Sequence, residues 1–190
     1  MFKYITIKEF LTKEDCNILL ENMKLNVELQ PGVVSKDLRI DKTKRDSNVS
    51  FFDLKRFTQL KEKLQSVLFE KIKMKGYKLD FENQKIQFTE YQKDGHYDWH
   101  EDNSPTGYSK RYCSLVIQLN DEYEGGELQL KEYNIEGNET IITFERGIGN
   151  LFVFLSSTTH RVSPIIDGNR YSLVSWFGLR PIENFKKTLI

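Results

Sequence analysis

Gly76-Tyr77-Lys78-Leu79-Asp80-Phe81, followed after three residues by Lys85-Ile86-Gln87-Phe88-Thr89-Glu90-Tyr91, is where the chain changes its period. Before this point Phe57, Leu60, Leu64, Leu68 and Ile72 recur at three- and four-residue steps, which predicts an amphipathic helix from Phe57 to Met74. Gly76 is placed to end it. After it, apolar and polar residues alternate in short runs between turn signals, the pattern of strands: Tyr112 to Leu119, Glu127 to Leu130, Glu139 to Phe144, Leu151 to Leu155, Arg161 to Ile166 and Tyr171 to Leu179. With the two opening runs, about eight strands fill the last two thirds of the chain.

Working back to the start, Lys3 to Phe10 reads as a short strand. A helix follows it, capped by Thr12, with Glu14 and Asp15 at its positive end and Leu11, Ile18, Leu19, Met23 and Leu25 on its buried side. Residues 30–50 are polar and aperiodic and predict a long surface loop with at most one short strand, of a length that is often functional, carrying Arg39 and Arg45. Helices confined to the first third and strands thereafter give a mainly β (α+β) fold, a double-stranded β-helix or jelly roll with N-terminal helices packed on one sheet. One domain over residues 1–190 is expected, with 1–76 as helical buttress and loop and 77–180 as the jelly-roll core.

Composition argues for none of several classes of function. Lys plus Arg and Asp plus Glu are equal at 28 each, so there is no overall positive field to hold a nucleic acid backbone. No run approaches the roughly 20 apolar residues of a membrane span, and Met1 to Ile7 lacks the apolar run of a signal peptide. Cys16 and Cys113 lie far apart without C-x-x-C spacing and read as reduced thiols, which places the protein in the cytoplasm.

Chemistry concentrates in Tyr97-Asp98-Trp99-His100-Glu101-Asp102-Asn103. Residues i and i+2 of extended backbone project to one face, so His100 and Asp102 can converge on one ion, with His160 as a distant third donor. Two imidazoles and a carboxylate with open positions are the donor set of a non-haem Fe(II) site. His96 and Asp98 repeat the same spacing, and in a fully extended strand all four would share a face; spacing alone leaves the pair open. Downstream, Arg170 and Ser172 are again i and i+2, so a guanidinium fork and a hydroxyl form a socket for one carboxylate.

The residues Tyr91-x-x-x-Gly95-x-Tyr97-x-x-His100-x-Asp102-Asn103, Arg111-x-x-Ser114, Leu119-Asn120, Tyr123-x-Gly125-Gly126-Glu127-Leu128, Gly149-Asn150-Leu151, His160-x-Val162 and Gly168-x-Arg170 recur in one order over about half the chain. In these the chain resembles the iron and 2-oxoglutarate-dependent dioxygenases, and among them the prolyl 4-hydroxylase-like group with the PKHD-type hydroxylases. The resemblance implies that His100, Asp102 and His160 hold iron, and that Arg170 binds the distal carboxylate of 2-oxoglutarate with Tyr91 and Ser172 as helpers. His96 and Asp98 then fall outside the ligand positions. It also implies Fe(II), 2-oxoglutarate and O2 as cofactor and co-substrates, with ascorbate (vitamin C) as a reductant. The reaction implied is oxidative decarboxylation of 2-oxoglutarate to succinate and CO2, coupled to hydroxylation of a peptidyl residue, proline first, or of an amino acid.

Two details refine this expectation. Collagen-type prolyl hydroxylases usually place a lysine where this chain has Arg170, so the likeness is to the arginine-using branches. Asp102 fills the position that related halogenases leave to a small residue, which favours hydroxylation. Tyr97, Trp99, Glu101 and Trp176 are expected around the substrate, and residues 104–108 form a turn-rich candidate lid. A non-catalytic jelly-roll module that binds a metal or ligand, or a cupin-type metalloenzyme that needs no keto acid, are the competing readings.

Overall fold

The computed structural model describes residues 3–34, 39–82, 84–103 and 111–182. The segment 104–108, expected as a lid, and part of the 30–50 segment lie outside the described residues. In chain order the elements are β1 (Tyr4–Ile7), α1 (Lys13–Asn26), β2 (Gln30–Pro31), β3 (Arg45–Asp46), β4 (Asn48–Asp53), a 3-10 turn (Leu54–Arg56), α2 (Thr58–Lys71), β5 (Tyr77–Leu79), β6 (Lys85–Tyr91) and β7 (His96–His100). There follow β8 (Cys113–Gln118), β9 (Tyr123–Gly125), β10 (Leu128–Tyr133), β11 (Glu139–Thr143), β12 (Leu151–Leu155), β13 (His160–Val162), β14 (Ile165–Gly168), β15 (Arg170–Phe177) and β16 (Leu179–Pro181). Seven strands make a major sheet in the order β1-β12-β8-β15-β6-β4-β2, and five make a minor sheet in the order β11-β10-β13-β7-β3. This is the expected jelly roll with its two N-terminal helices against one sheet.

Period-two alternation explains the layers. On the central strands Ile86, Phe88, Leu115, Ile117, Leu173 and Phe177 join one buried cluster with Cys16, Met23, Leu60, Leu64 and Leu68 of the helices. Residues of the opposite phase, Tyr91, Val116, Phe152 and Phe154, join a second cluster with Leu128, Leu130 and Val162 of the minor sheet. The major sheet is therefore buried on both faces, and the second face also carries Ser114, Gln118, Arg170 and Ser172. Leu64 and Leu68 are completely buried, and each such side chain stabilises the fold by about 1.5–3 kcal/mol.

Local signals place the helices. Thr12 closes a full capping box: its hydroxyl accepts from the Asp15 amide and the Asp15 carboxylate accepts from the Thr12 amide. The loop before β12 is clamped to this same corner, because Leu11 donates to the Gly149 carbonyl at 3.1 Å. Gly149 has φ +76, and a Cβ there would stand 1.9 Å from the Leu11 carbonyl oxygen, so no side chain fits. Two helical expectations are corrected. Ile18 and Leu25 are 52% and 82% exposed, because α1 presents Cys16 and Met23 to the sheet instead. Helix α2 ends at Lys71, and Gly76 serves the following turn into β5 with φ +77.

The largest correction concerns residues 30–50. Rather than one surface loop, they contribute β2, β3 and the start of β4, which pairs with β6 from Asn48↔Glu90 to Asp53↔Lys85. Both sheets thus draw on the first 76 residues as well as on the expected core.

Both cysteines are free and buried. Burial pushes the Cys113 thiol up to about 12 and, with the nearby Asp15 charge, Cys16 up to about 11. Neither thiol is expected to react with Ellman's reagent at mildly alkaline pH in the folded protein, and both are expected to react once it is denatured. Rapid native labelling would contradict this packing.

Candidate metal site

His100 ends β7, His160 opens β13, and the two are direct cross-strand partners. Their rings lie 4.1 Å apart between centroids. Asp102 follows two residues beyond β7, and its carboxylate approaches His160 Nε2 at 3.4 Å through Oδ2 and His100 Nε2 at 3.7 Å through Oδ1. One donor atom from each residue falls within a 4.8 Å cluster, the one group of this kind among the described residues.

A β-bulge separates these residues from the competing pair. Along β13 the step from His160 to Val162 is two residues, whereas their partners on β7, His100 and Tyr97, are three apart. The extra residue shifts the alternation, so Tyr97 and His100 both face inward, with rings stacked at 3.5 Å. Trp99 faces outward between Lys131 and Arg161, which stand 4.7 and 4.6 Å from its ring. Asp98 is turned to Lys44 at 3.5 Å, and His96 Nδ1 and Nε2 meet the carbonyls of Asp94 and Thr43. Spacing alone had left four residues on one face; the bulge, lying between Tyr97 and His100, puts His96 and Asp98 out of phase with His100 and Asp102.

The imidazoles are oriented for metal binding. His100 Nδ1 lies 2.7 Å from the Asp98 carbonyl and His160 Nδ1 2.9 Å from the Thr158 carbonyl. A carbonyl only accepts, so each Nδ1 carries the proton and each Nε2 presents its lone pair to the cluster. Burial opposes ionisation of Asp102, yet the His160 and His100 imidazoles and the Ser114 hydroxyl hold its carboxyl far below the usual carboxylate range. Burial, aided by the His160 charge, depresses His100 to about 3. Burial works against the His160 cation as well, but the Asp102 carboxylate outweighs it and raises His160. An ion bound here would face the Asp102 carboxylate and both Nε2 atoms, and would compete with the proton that Asp102 favours on His160.

Across the barrel, Arg170 on β15 pairs with Tyr91 on β6, and Ser172 pairs with Thr89. Arg170 is 1% exposed and donates from Nη1 to Ser172 Oγ at 3.1 Å. Its Nε has no partner, and no carboxylate pairs with it among the described residues. Gly126 packs between Ile165 and the arginine stem: a Cβ there, φ +66, would stand 2.3 Å from Ile165 Cδ1 and 3.2 Å from Arg170 Cδ. A buried, uncompensated guanidinium is costly unless an anionic ligand completes it. Tyr91 lies within the fields of both Arg170 and Asp102, and burial raises its phenol. The donor set suits Fe(II), and the guanidinium, with its Nε unpartnered, suits a carboxylate.

Of the residues expected around a substrate, Tyr97 packs on His100, and burial pushes its phenol up to about 12. Trp176 lies opposite Ser114 on the inward face, stacked under Arg111 at 4.1 Å. Trp99 is on the outer face, and Glu101 is exposed, 3.5 Å from Thr159 Oγ1. Arg45 was expected near the substrate with the 30–50 segment, whereas Ser114 and Ser156 carried no assigned role in the sequence reading. Arg45 is only 8% exposed and lies 4.6 Å over the Tyr97 ring. Ser114 and Ser156 are fully buried beside Asp102. For Ser114 a signal existed, a hydroxyl at an inward position of a strand that is apolar from Leu115 to Ile117.

Comparison with known proteins agrees with this geometry. Residues 86–178 match the model of the 2OG-Fe(II) oxygenase superfamily. A PKHD-type hydroxylase of Synechococcus sp. (strain CC9605) is 37% identical over 93 residues, covering 48% of this chain and 38% of the relative. Another from Prochlorococcus marinus (strain MIT 9312) is 27% identical over 188 residues, covering 95% and 78%. The match thus spans less than two fifths of the first relative's length and about four fifths of the second's. Among solved structures, a Pseudomonas putida prolyl-4-hydroxylase superposes with TM-score 0.65 at 24% identity over 92% of this chain and 91% of that one. A Trichoplax adhaerens prolyl hydroxylase, solved with a hypoxia-inducible-factor peptide fragment, superposes with TM-score 0.74 at 17% identity over 98% and 87%. Sequence match, fold and a His-Asp-His cluster within the matched segment agree in likening residues 86–178 to the 2OG-Fe(II) oxygenase superfamily.

Proposed function

We propose that the protein is an Fe(II)- and 2-oxoglutarate-dependent hydroxylase acting on a peptidyl residue, proline first, with a free amino acid as the alternative substrate. The observation that carries this reading is the pairing of an open His-Asp-His cluster with a buried Arg170 that lacks a counter-ion. A metal site alone would suit the cupin-type or non-catalytic readings equally. The buried cation favours a ligand with a carboxylate at its far end.

In this reading His100, Asp102 and His160 hold iron, while Arg170, Ser172 and Tyr91 hold the distal carboxylate of the keto acid. Bound iron and keto acid supply the activation of dioxygen, with succinate and CO2 as co-products. The protein contributes orientation and dryness. The Asp98 and Thr158 carbonyls fix the ring tautomers. Tyr97 on one side of His100, and Phe154 at 4.6 Å from the His160 ring, wall the centre against water. Tyr97 and Trp176 border the mouth where a substrate enters, and Trp99 and Glu101 bear only on a substrate that reaches the outer rim. The peptidyl assignment draws support from the Trichoplax relative, which was solved with a peptide. Ascorbate serves as reductant, and two reduced buried thiols suit a cytoplasmic setting.

Anaerobic addition of Fe(II) and 2-oxoglutarate tests the proposal. Chelation of the keto acid is expected to produce a visible metal-to-ligand charge-transfer band, and succinate formation in air is then expected to rise with the right member of a peptide and amino-acid panel. Absence of the band would favour the module without oxygen chemistry.

A further inference from the structure

Ser114 and Ser156 are each 0% exposed, and Ser114 sits in β8 between Cys113 and Leu115, which are equally buried. A buried hydroxyl is costly unless it is bonded. Ser114 Oγ lies 2.7 Å from Asp102 Oδ2 and 2.9 Å from Ser156 Oγ. Each hydroxyl has one proton to give, and the ionised carboxylate can only accept. Ser114 therefore donates to Asp102, and Ser156 donates to Ser114, so the chain of donors runs one way and ends on the carboxylate.

The same serine also holds the backbone. The Ser156 carbonyl accepts from the amides of both Asp102 and Asn103, each at 2.9 Å. This matters because the ligands are supported unequally. His100 and His160 face each other across a strand ladder, whereas Asp102 lies past the end of β7, where no ladder fixes it. Among the described residues, Ser114 is the one hydroxyl donor to its carboxylate.

We propose that Ser156 and Ser114 form a positioning relay for the metal ion. Ser156 anchors the Asp102 main chain, and Ser114 holds the carboxylate in the rotamer that faces both imidazoles. Neither touches the ion. The inference rests on the reading of His100, Asp102 and His160 as the metal ligands, and it adds two residues that decide how well the third ligand is presented.

Mn(II) binding to the full chain, followed by electron paramagnetic resonance without keto acid, tests the relay independently of turnover. Ser114→Ala is expected to weaken Mn(II) binding roughly 10–100-fold, the usual effect of removing a partner that orients a ligand. Ser156→Ala should weaken it in the same direction by less, and Ser114→Thr, which keeps the hydroxyl, should bind as the parent does. Ser175→Ala is the control: it removes a buried hydroxyl bonded to the Lys85 carbonyl at 2.8 Å on the helix-facing side of the sheet, so it should cost stability without affecting Mn(II). Unchanged Mn(II) affinity in Ser114→Ala, or an equal loss in Ser175→Ala, would overturn the relay. If Ser114→Ala does not fold, Ser156→Ala against the same control decides it. A parent that takes up no Mn(II) would overturn the metal reading itself, and a parent that binds tightly beside an unaffected Ser114→Ala sinks the relay alone.

Discussion

Asp102→Ala is expected to abolish both metal uptake and succinate formation, while Asp98→Ala leaves both close to the parent. Removal of an outer partner of a metal ligand typically costs about 10–100-fold, and loss of the ligand itself should exceed that. Asp102 supplies the one carboxylate of the cluster and the counter-charge that holds His160 in its raised state. Without it two neutral imidazoles remain, a poor site for a hard divalent ion that favours oxygen donors. Asp98 loses only a 3.5 Å contact with exposed Lys44 and a hydrogen bond from the Trp99 amide. Such a surface pair is worth less than about 1 kcal/mol. Its carbonyl, which orients His100, survives the substitution. Succinate release with Fe(II) and 2-oxoglutarate, beside a metal titration, reads both variants, and the reverse ranking would move the site to His96 and Asp98.

Arg170→Met is expected to separate folding from cofactor use. The side chain is 1% exposed, its Nε is unpaired, and no acid balances it among the described residues. Replacing such a charge by an apolar chain of similar length relieves desolvation, and comparable replacements in other proteins are neutral or stabilising by about 1–4 kcal/mol. The unliganded Tm should therefore hold or rise, by about 2–4 °C per kcal/mol for a chain of this size. Loss of two charge-assisted hydrogen bonds to a carboxylate, at about 1.5–3 kcal/mol each, should raise the 2-oxoglutarate requirement by about two to four orders of magnitude. Metal binding should be unaffected. An unchanged keto-acid requirement would favour an iron enzyme that needs none.

The contrast between these two arginine and carboxylate positions and the rest of the chain shows what a linear reading can hold. Helix α2 was legible because its buried positions repeat locally, and the Thr12 cap because both halves of its box lie within four residues. The donor set was legible because iron chemistry restricts residue types, and Arg170 because a strand puts it in phase with Ser172. Strand β4 was not legible: Asn48, Ser50 and Asp53 look like loop, and only pairing with β6 makes the segment extended. Ile18 and Leu25 misled for the opposite reason, since local periodicity does not say how far round a helix its neighbours reach. Ser156 went unassigned because its partners are 42 and more residues away, a separation that no local pattern encodes.

The surplus residue in β7 has a meaning for protein engineering. A protocol that idealised this strand by deleting Asp98 or Trp99 would match two residues against two along β13 and regularise the ladder there. It would also disturb the carbonyl that keys His100 and release Trp99 from between its two cations. Regularity of the ladder and catalytic competence therefore pull in opposite directions at a single insertion, and selection for the first alone should erode the second.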